Sequence, residues 1–205
     1  MRVTPFVIGR EEGDLVLPHD PLMSARHAAI ECTLGAEHPQ WKLRDLDSSN
    51  GTFVQAKQSL LEPGREISIA RRRFRFCPPE TRDEGSEEPE RESDVRRTIP
   101  WSSLMKRKNP EAAPSLVELL PDREGRRFPL SKSEQWIGRA SKCEVLLDDP
   151  TVSPRHARVL KTRDGKWCVE DADSMNGLWV RVASLPLSSG AFFMLGEQVF
   201  LITLP

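Results

Sequence analysis

One pattern is written twice in this chain, and the duplication limits the fold to something that can be built twice from about 80–90 residues. Gly9–Arg10, Pro21, Ser24, Arg26, His27 and Ala28 recur as Gly138–Arg139, Pro150, Ser153, Arg155, His156 and Ala157, at an offset of 129. Trp41, Asp45, Asp47, Ser48, Asn50, Gly51 and Val54 recur as Trp167, Asp171, Asp173, Ser174, Asn176, Gly177 and Val180, at an offset of 126. The repeated residues are polar and small rather than core aliphatics. What was copied therefore includes a set of loops, and loops on a rigid scaffold are where binding concentrates.

Short runs of strand-forming residues bounded by turn signals predict an all-β chain. The runs fall at 4–8, 15–17, 27–33, 41–45, 52–54, 66–69 and 73–77, and again at 115–120, 127–130, 135–138, 144–147, 157–162, 167–170, 178–181, 192–195 and 198–204. Asn-Gly at 50–51 and 176–177, Pro-Gly at 63–64 and Asp-Gly at 164–165 punctuate them. This spacing predicts β-sandwiches, with a hairpin around Asp164–Gly165. The expected organisation is one domain over 1–79, a linker over 80–114 and a second domain over 115–205. Between Glu80 and Asp94 stand eight acidic residues and two arginines, without apolar periodicity, and a basic, Pro-containing stretch follows. Such a composition cannot bury enough surface to offset its ordering entropy and predicts a disordered, charged linker. The first block has seven residues before Ile8 and so lacks room for the opening strands that the second block has, which predicts an open sheet edge in the first domain.

Charge and composition exclude several function classes. The net charge is −1, too small a field to steer the whole chain to nucleic acid or membrane. No apolar run approaches the ~20 residues of a membrane span, and the N-terminal residues carry no secretory signal, so a cytoplasmic protein without membrane insertion is expected. Cys32, Cys77, Cys143 and Cys168 form no CxxC pair and read as free thiols in a reducing compartment. No metal or cofactor is expected.

Each block brings together an arginine after a glycine, a serine and an arginine just before a histidine, and an Asp-Ser-x-Asn-Gly turn. Guanidinium forks, hydroxyl donors and an amide able to grip a peptide backbone make an anion site. Nothing in the set suits bond-making. Ser24, His27 and Asp45 could be imagined as a triad, but a histidine three residues after a serine suits a local hydrogen bond better than catalysis, so a non-enzymatic protein is expected.

The combined motif resembles the forkhead-associated (FHA) domain. The first copy reads IGR (8–10), MSARHAAI (23–30) and RDLDSSNGTFV (44–54); the second reads IGR (137–139), VSPRHARV (152–159) and EDADSMNGLWV (170–180). The resemblance implies two twisted β-sandwiches whose loops bind phosphothreonine peptides. It implies that Arg10 and Arg139 grip the phosphate and that Ser24 and Ser153 donate to it. It also implies that Asn50 and Asn176 hold the peptide main chain, and that Ser49 adds a hydroxyl. Gly9, His27, Gly51, Gly138, His156 and Gly177 are expected to be structural, with a positive φ at Gly51 and Gly177. Arg26 and Arg155 stand one place later than the family's usual arginine, after Ala25 and Pro154, and are further phosphate-contacting candidates. The second copy has Met175 where Ser49 stands, and Leu178 where Thr52 stands.

The expected partners are phosphothreonine-containing proteins and a Ser/Thr kinase, with the chain acting as a bridging adaptor. One alternative is an FHA scaffold that docks unphosphorylated proteins in a bacterial secretion or signalling complex. Another is a nucleic-acid-associated regulator using Arg71, Arg73 and Arg75, disfavoured because these would form a solvated outer face while Phe74 and Phe76 turn inward. Thr98, preceded by two arginines in the linker, is a candidate site for a basophilic kinase.

Overall fold

The computed structural model describes residues 5–35, 38–79 and 113–204. The 80–112 part of the expected linker, and Thr98 with it, lies outside the described residues. The first block forms β1 (Phe6–Gly9), β2 (Leu15–Val16), β3 (Ala28–Leu34), β4 (Pro39–Asp45), β5 (Thr52–Ala56), β6 (Gln58–Leu61), β7 (Glu66–Ile69) and β8 (Arg72–Cys77). The second forms β9 (Ser115–Leu119), β10 (Glu124–Pro129), β11 (Glu134–Gly138), β12 (Val145–Leu146), β13 (Ala157–Lys161), β14 (Trp167–Asp171), β15 (Leu178–Val182), β16 (Ser184–Leu187), β17 (Phe192–Leu195) and β18 (Gln198–Leu201). The described residues contain no helix, and none therefore long and apolar enough to cross a membrane. The Asp164–Gly165 hairpin forms as expected, joining β13 to β14 with Gly165 at φ 79°.

The two blocks exchange strands. One five-stranded sheet runs β16-β4-β3-β1-β2 and another β12-β11-β13-β14-β6. Each thus takes its strand beside β4 or β14 from the opposite block. Both pack on a single eight-stranded sheet, β10-β9-β8-β7-β15-β5-β17-β18. Lobe one is therefore β1–β5 with β16–β18, and lobe two is β9–β15 with β6–β8. Each sandwich draws on both 1–79 and 115–205, whereas the sequence reading placed each within its own block. At the centre β5 and β15 run antiparallel, with Thr52 opposite Val182, Val54 opposite Val180 and Ala56 opposite Leu178.

A local cause lies between the strands. Only Lys57 separates β5 from β6, and only Ala183 separates β15 from β16. A hairpin needs at least two loop residues, usually with Gly, Asn or Asp at positive φ. Residues 55–58 and 181–184 offer Gln-Ala-Lys-Gln and Arg-Val-Ala-Ser instead. Unable to reverse, each strand runs on into the other lobe, the geometry of domain swapping within one chain. The crossings mirror each other: Asp171 N–H donates to the Lys57 carbonyl and Asp45 N–H to the Ala183 carbonyl, both at 2.9 Å. β6 and β16, the crossing strands, are the two elements that composition alone did not predict.

Both cores are consequently mixed. In lobe one Ile8, Ala28 and Leu43 of the first block pack with Leu187, Phe193 and Leu195 of the second. In lobe two Leu61, Ile67, Ile69, Phe74 and Phe76 of the first block pack with Leu116, Ile137, Val159 and Val169 of the second. Phe74 and Phe76 turn inward as expected. β9 covers β8, but its repeat counterpart β18 ends the shared sheet without a further strand among the described residues.

This intertwining makes each half the core of the other. Cutting the chain within 80–112 is expected to leave one complex that co-migrates in gel filtration and melts in one transition. Residues 1–79 or 115–205 expressed alone should lose the cooperative transition by circular dichroism. Separation of the nicked halves without denaturant would contradict the exchange.

Candidate functional site

The loops that carry the repeated motif are positioned by backbone contacts too close for any side chain. A Cβ on Gly9 would lie 2.1 Å from the Ala25 carbonyl oxygen, and one on Gly138 would lie 2.3 Å from that of Pro154. This approach lets Arg10 N–H donate to the Ser24 carbonyl at 2.9 Å, and Arg139 N–H to the Ser153 carbonyl at 3.2 Å. The arginine strand and the serine loop are thereby locked together in both lobes.

A buried histidine ties the serine loop to the Asn-Gly turn. His27 Nδ1 accepts the Ser24 N–H at 3.1 Å, which puts the ring proton on Nε2, and Nε2 donates to the Gly51 carbonyl at 3.2 Å. His156 repeats this with Ser153 N–H at 3.2 Å and the Gly177 carbonyl at 3.0 Å. Both imidazoles are fully buried. Burial lowers the His27 pKa below its ordinary value, against smaller raising effects of the Gly51 carbonyl, Asp45 and Asp20. The histidines are braces, as expected, and the imagined triad does not assemble: Asp45 is taken by Ser48 and Thr52.

The turn is braced by its aspartate. Asp45 accepts Ser48 Oγ at 2.5 Å and Thr52 Oγ1 at 2.7 Å, and Ser48 Oγ accepts the Gly51 N–H at 3.0 Å. Gly51 and Gly177 adopt φ 82° and 74°, as the resemblance implied. In the second copy Leu178 cannot donate to Asp171. Lys57, arriving from the first block, stands 3.6 Å from Asp171 and 2.9 Å from Asp173 instead.

The expected anion-binding groups gather at one end of each lobe. Ser24 Oγ accepts the Ser49 N–H at 3.0 Å, and Ser153 Oγ the Met175 N–H at 3.1 Å. Each hydroxyl oxygen is thereby fixed while its proton remains available to donate. Asn50 Nδ2 donates to the Leu22 carbonyl at 2.8 Å, and Asn176 Nδ2 to the Thr151 carbonyl at 2.7 Å, orienting both amides. Arg10 is half-exposed and paired with Glu11 at 2.6 Å, whereas Arg139 is exposed. Arg26 is exposed, and Arg155 lies over the Trp136 ring, 4.9 Å from its centroid. Met175 is 90% exposed, an apolar side chain at the position where lobe one presents Ser49.

Tertiary contacts add residues that motif reading missed. Arg73 Nη1 donates to the Asn50 carbonyl at 3.0 Å and to Asn50 Oδ1 at 3.2 Å. Trp179 Nε1 donates to the Asn176 carbonyl at 2.8 Å. Buried Glu66 holds Arg181 at 3.0 Å and Arg75 at 3.3 Å. Asp20 accepts the Glu197 N–H at 2.7 Å and so fastens the β17–β18 turn to the first block. Buried Asp20 and Glu66 were a legible signal, as isolated carboxylates in otherwise apolar or strand-like stretches, but one partner of each, Glu197 and Arg181, comes from the far block. Arg73 and Arg75 are thus not the free cationic stripe that nucleic-acid binding would need.

The family model for the FHA domain matches residues 6–70 and 136–196, more than half of the chain. An oxoglutarate dehydrogenase inhibitor of Corynebacterium diphtheriae is 36% identical over 91 residues, covering 43% of this chain and 63% of the relative. The FHA domain-containing protein FhaB of Mycobacterium tuberculosis is 43% identical over 56 residues, 27% of this chain and 36% of the relative. FhaB of Mycolicibacterium smegmatis is 37% identical over 88 residues, with 42% and 56% covered. The chain thus spans less than two thirds of each of these bacterial relatives. Among solved structures, Mycobacterium tuberculosis EmbR in complex with a low-affinity phosphopeptide is similar at 24% identity and TM-score 0.25, over 38% of this chain and 22% of that one. A structure from a study of phosphothreonine-dependent FHA domain interactions matches at 24% identity and TM-score 0.26, over 44% and 97%.

The His27 brace has a pH consequence. A histidine whose folded pKa is lowered binds fewer protons folded than unfolded, so stability falls as pH drops below the ordinary value of 6.5. Melting temperature should be level above pH 7 and decline from about pH 6.5 downward. In His27→Gln, less stable at pH 8, that decline should be shallower. An unchanged slope would remove His27 from this account.

Proposed function

This chain belongs to the FHA domain family, and on that footing we propose that it is a non-enzymatic, cytoplasmic adaptor that reads threonine phosphorylation in Ser/Thr-kinase signalling. The observation that carries this reading is the pair of fixed serine hydroxyls. Ser24 and Ser153 each have the oxygen held by a backbone N–H, on a loop tied to the Arg10 or Arg139 backbone and near an oriented asparagine. A phosphate monoester carrying roughly −1.5 to −2 charges would take the guanidinium fork and the hydroxyl proton. The asparagine would hold the neighbouring peptide. With two such sites in one chain, the adaptor would bring together two phosphorylated partners or two sites on one partner.

Exposed Met175 favours a second reading for lobe two alone, docking of an unmodified protein, because an apolar side chain stands where a hydroxyl would meet the phosphate.

Arg10→Ala in the full chain is expected to nearly abolish phosphopeptide binding at lobe one. Arg10→Lys should restore only part, since an ammonium lacks the fork. The measurement is titration by fluorescence anisotropy against the same peptide unphosphorylated. Full affinity in a folded Arg10→Ala, Arg139→Ala protein would sink the phosphate reading.

The two sites should be unequal. A hydrogen bond to a charged group contributes roughly 1.5–3 kcal/mol, so lobe two should bind the same peptide about tenfold more weakly. Arg139→Ala reports lobe one and Arg10→Ala reports lobe two. Met175→Ser should strengthen the second, and no gain there would count against a missing hydroxyl as the cause.

A further inference from the structure

The β7–β8 hairpin belongs to lobe two, yet it carries positive charge to the asparagine of lobe one. Arg73 meets Asn50 as described and makes no ion pair among the described residues. Its Nε is buried without a partner. Arg71, in the turn before it, is 73% exposed and, among the described residues, pairs with Glu197 at 3.6 Å. Both arginines line a cleft with Leu22, Asn50, Ser68 and Met194. Arg75 and Arg181 stand close by and share Glu66. Arg75 also meets Glu124 at 3.5 Å, so these four guanidiniums pair with three carboxylates, and Arg73 makes no ion pair among the described residues.

The turn itself is unusual. Ala70 and Arg71 adopt φ 47° and 69°, the left-handed conformation that two-residue hairpins ordinarily assign to Gly, Asn or Asp. At the repeat counterparts stand Gly196 and Glu197, with Val199 in place of Arg73. The charge was therefore not copied with the fold. A bulky cation kept in a strained turn, where glycine would be easier, points to use of that side chain.

We propose that Arg71, backed by Arg73, makes lobe one select phosphothreonine segments with an acidic side chain close to the phosphothreonine. The inference rests on the phosphothreonine reading of this site. The acidic group would displace Glu197 from Arg71 and answer the excess positive charge beside Asn50. The specificity of lobe one would then come in part from a hairpin that packs in lobe two.

The test uses the full chain carrying Arg139→Ala, so that lobe one alone reports. Two phosphothreonine peptides are titrated, one flanked by Glu and Asp and the other by Gln and Asn at the same places. The acidic peptide should bind at least about fivefold more tightly at physiological salt. Arg71→Gly suits the left-handed turn and should keep or raise the melting temperature. It should cut the preference to below about twofold and leave the neutral peptide's affinity unchanged. Glu197→Gln should widen the preference. Equal binding of both peptides by the parent, or an equal loss for both in Arg71→Gly, overturns this inference and leaves the phosphate reading standing. If neither phosphopeptide binds, both readings fall.

Discussion

The antiparallel pairing of β5 with β15 is the constraint on which the rest of the molecule depends. It joins two sandwiches through main-chain hydrogen bonds at the centre of one sheet, where every N–H and C=O must find a partner. Given that pairing, neither strand can fold back onto its own block, and the strands that follow it are committed to the opposite lobe. The mixed cores and the crossing contacts at Lys57 and Ala183 are consequences. The two sandwiches share one eight-stranded sheet as their floor.

Within each lobe the binding end is assembled by a different kind of interaction. Two backbone segments meet where Gly9 and Gly138 leave no space for a side chain, and a buried neutral histidine spans the serine loop and the Asn-Gly turn. These contacts lie within single blocks. Strand exchange therefore leaves the loops intact while replacing much of what surrounds them. The asparagine of lobe one faces Arg73 of the hairpin that packs in lobe two, and that of lobe two faces Trp179 of its own block. Two copies of one site have acquired different neighbourhoods, one cationic and one aromatic.

The substitutions between copies follow the same division. Leu178 removes a hydroxyl that braces the aspartate in the first copy, and Lys57 from the other block stands by that aspartate. Met175 has no such counterpart and projects into solvent. One change sits inside the framework, where a neighbour can answer it; the other sits on the binding rim, where only a ligand would.

Much was legible from the chain alone. The all-β class, the two FHA copies, the inward Phe74 and Phe76, the hairpin at Asp164–Gly165, the positive φ of Gly51 and Gly177 and the bracing histidines all depend on residues close in sequence or on a spacing copied whole. Which strand completes which sandwich was decided only in three dimensions. A sheet edge offers the same N–H and C=O row to any strand that reaches it, so side-chain motifs do not encode the partner. The absence of turn residues at 55–58 and 181–184 was visible in the sequence. Its meaning was not, because an unreversed strand needs a second edge to land on, and that edge lies more than a hundred residues away. The contacts of Arg73 with Asn50 and of Arg71 with Glu197 escaped because they form only where strands distant in sequence meet.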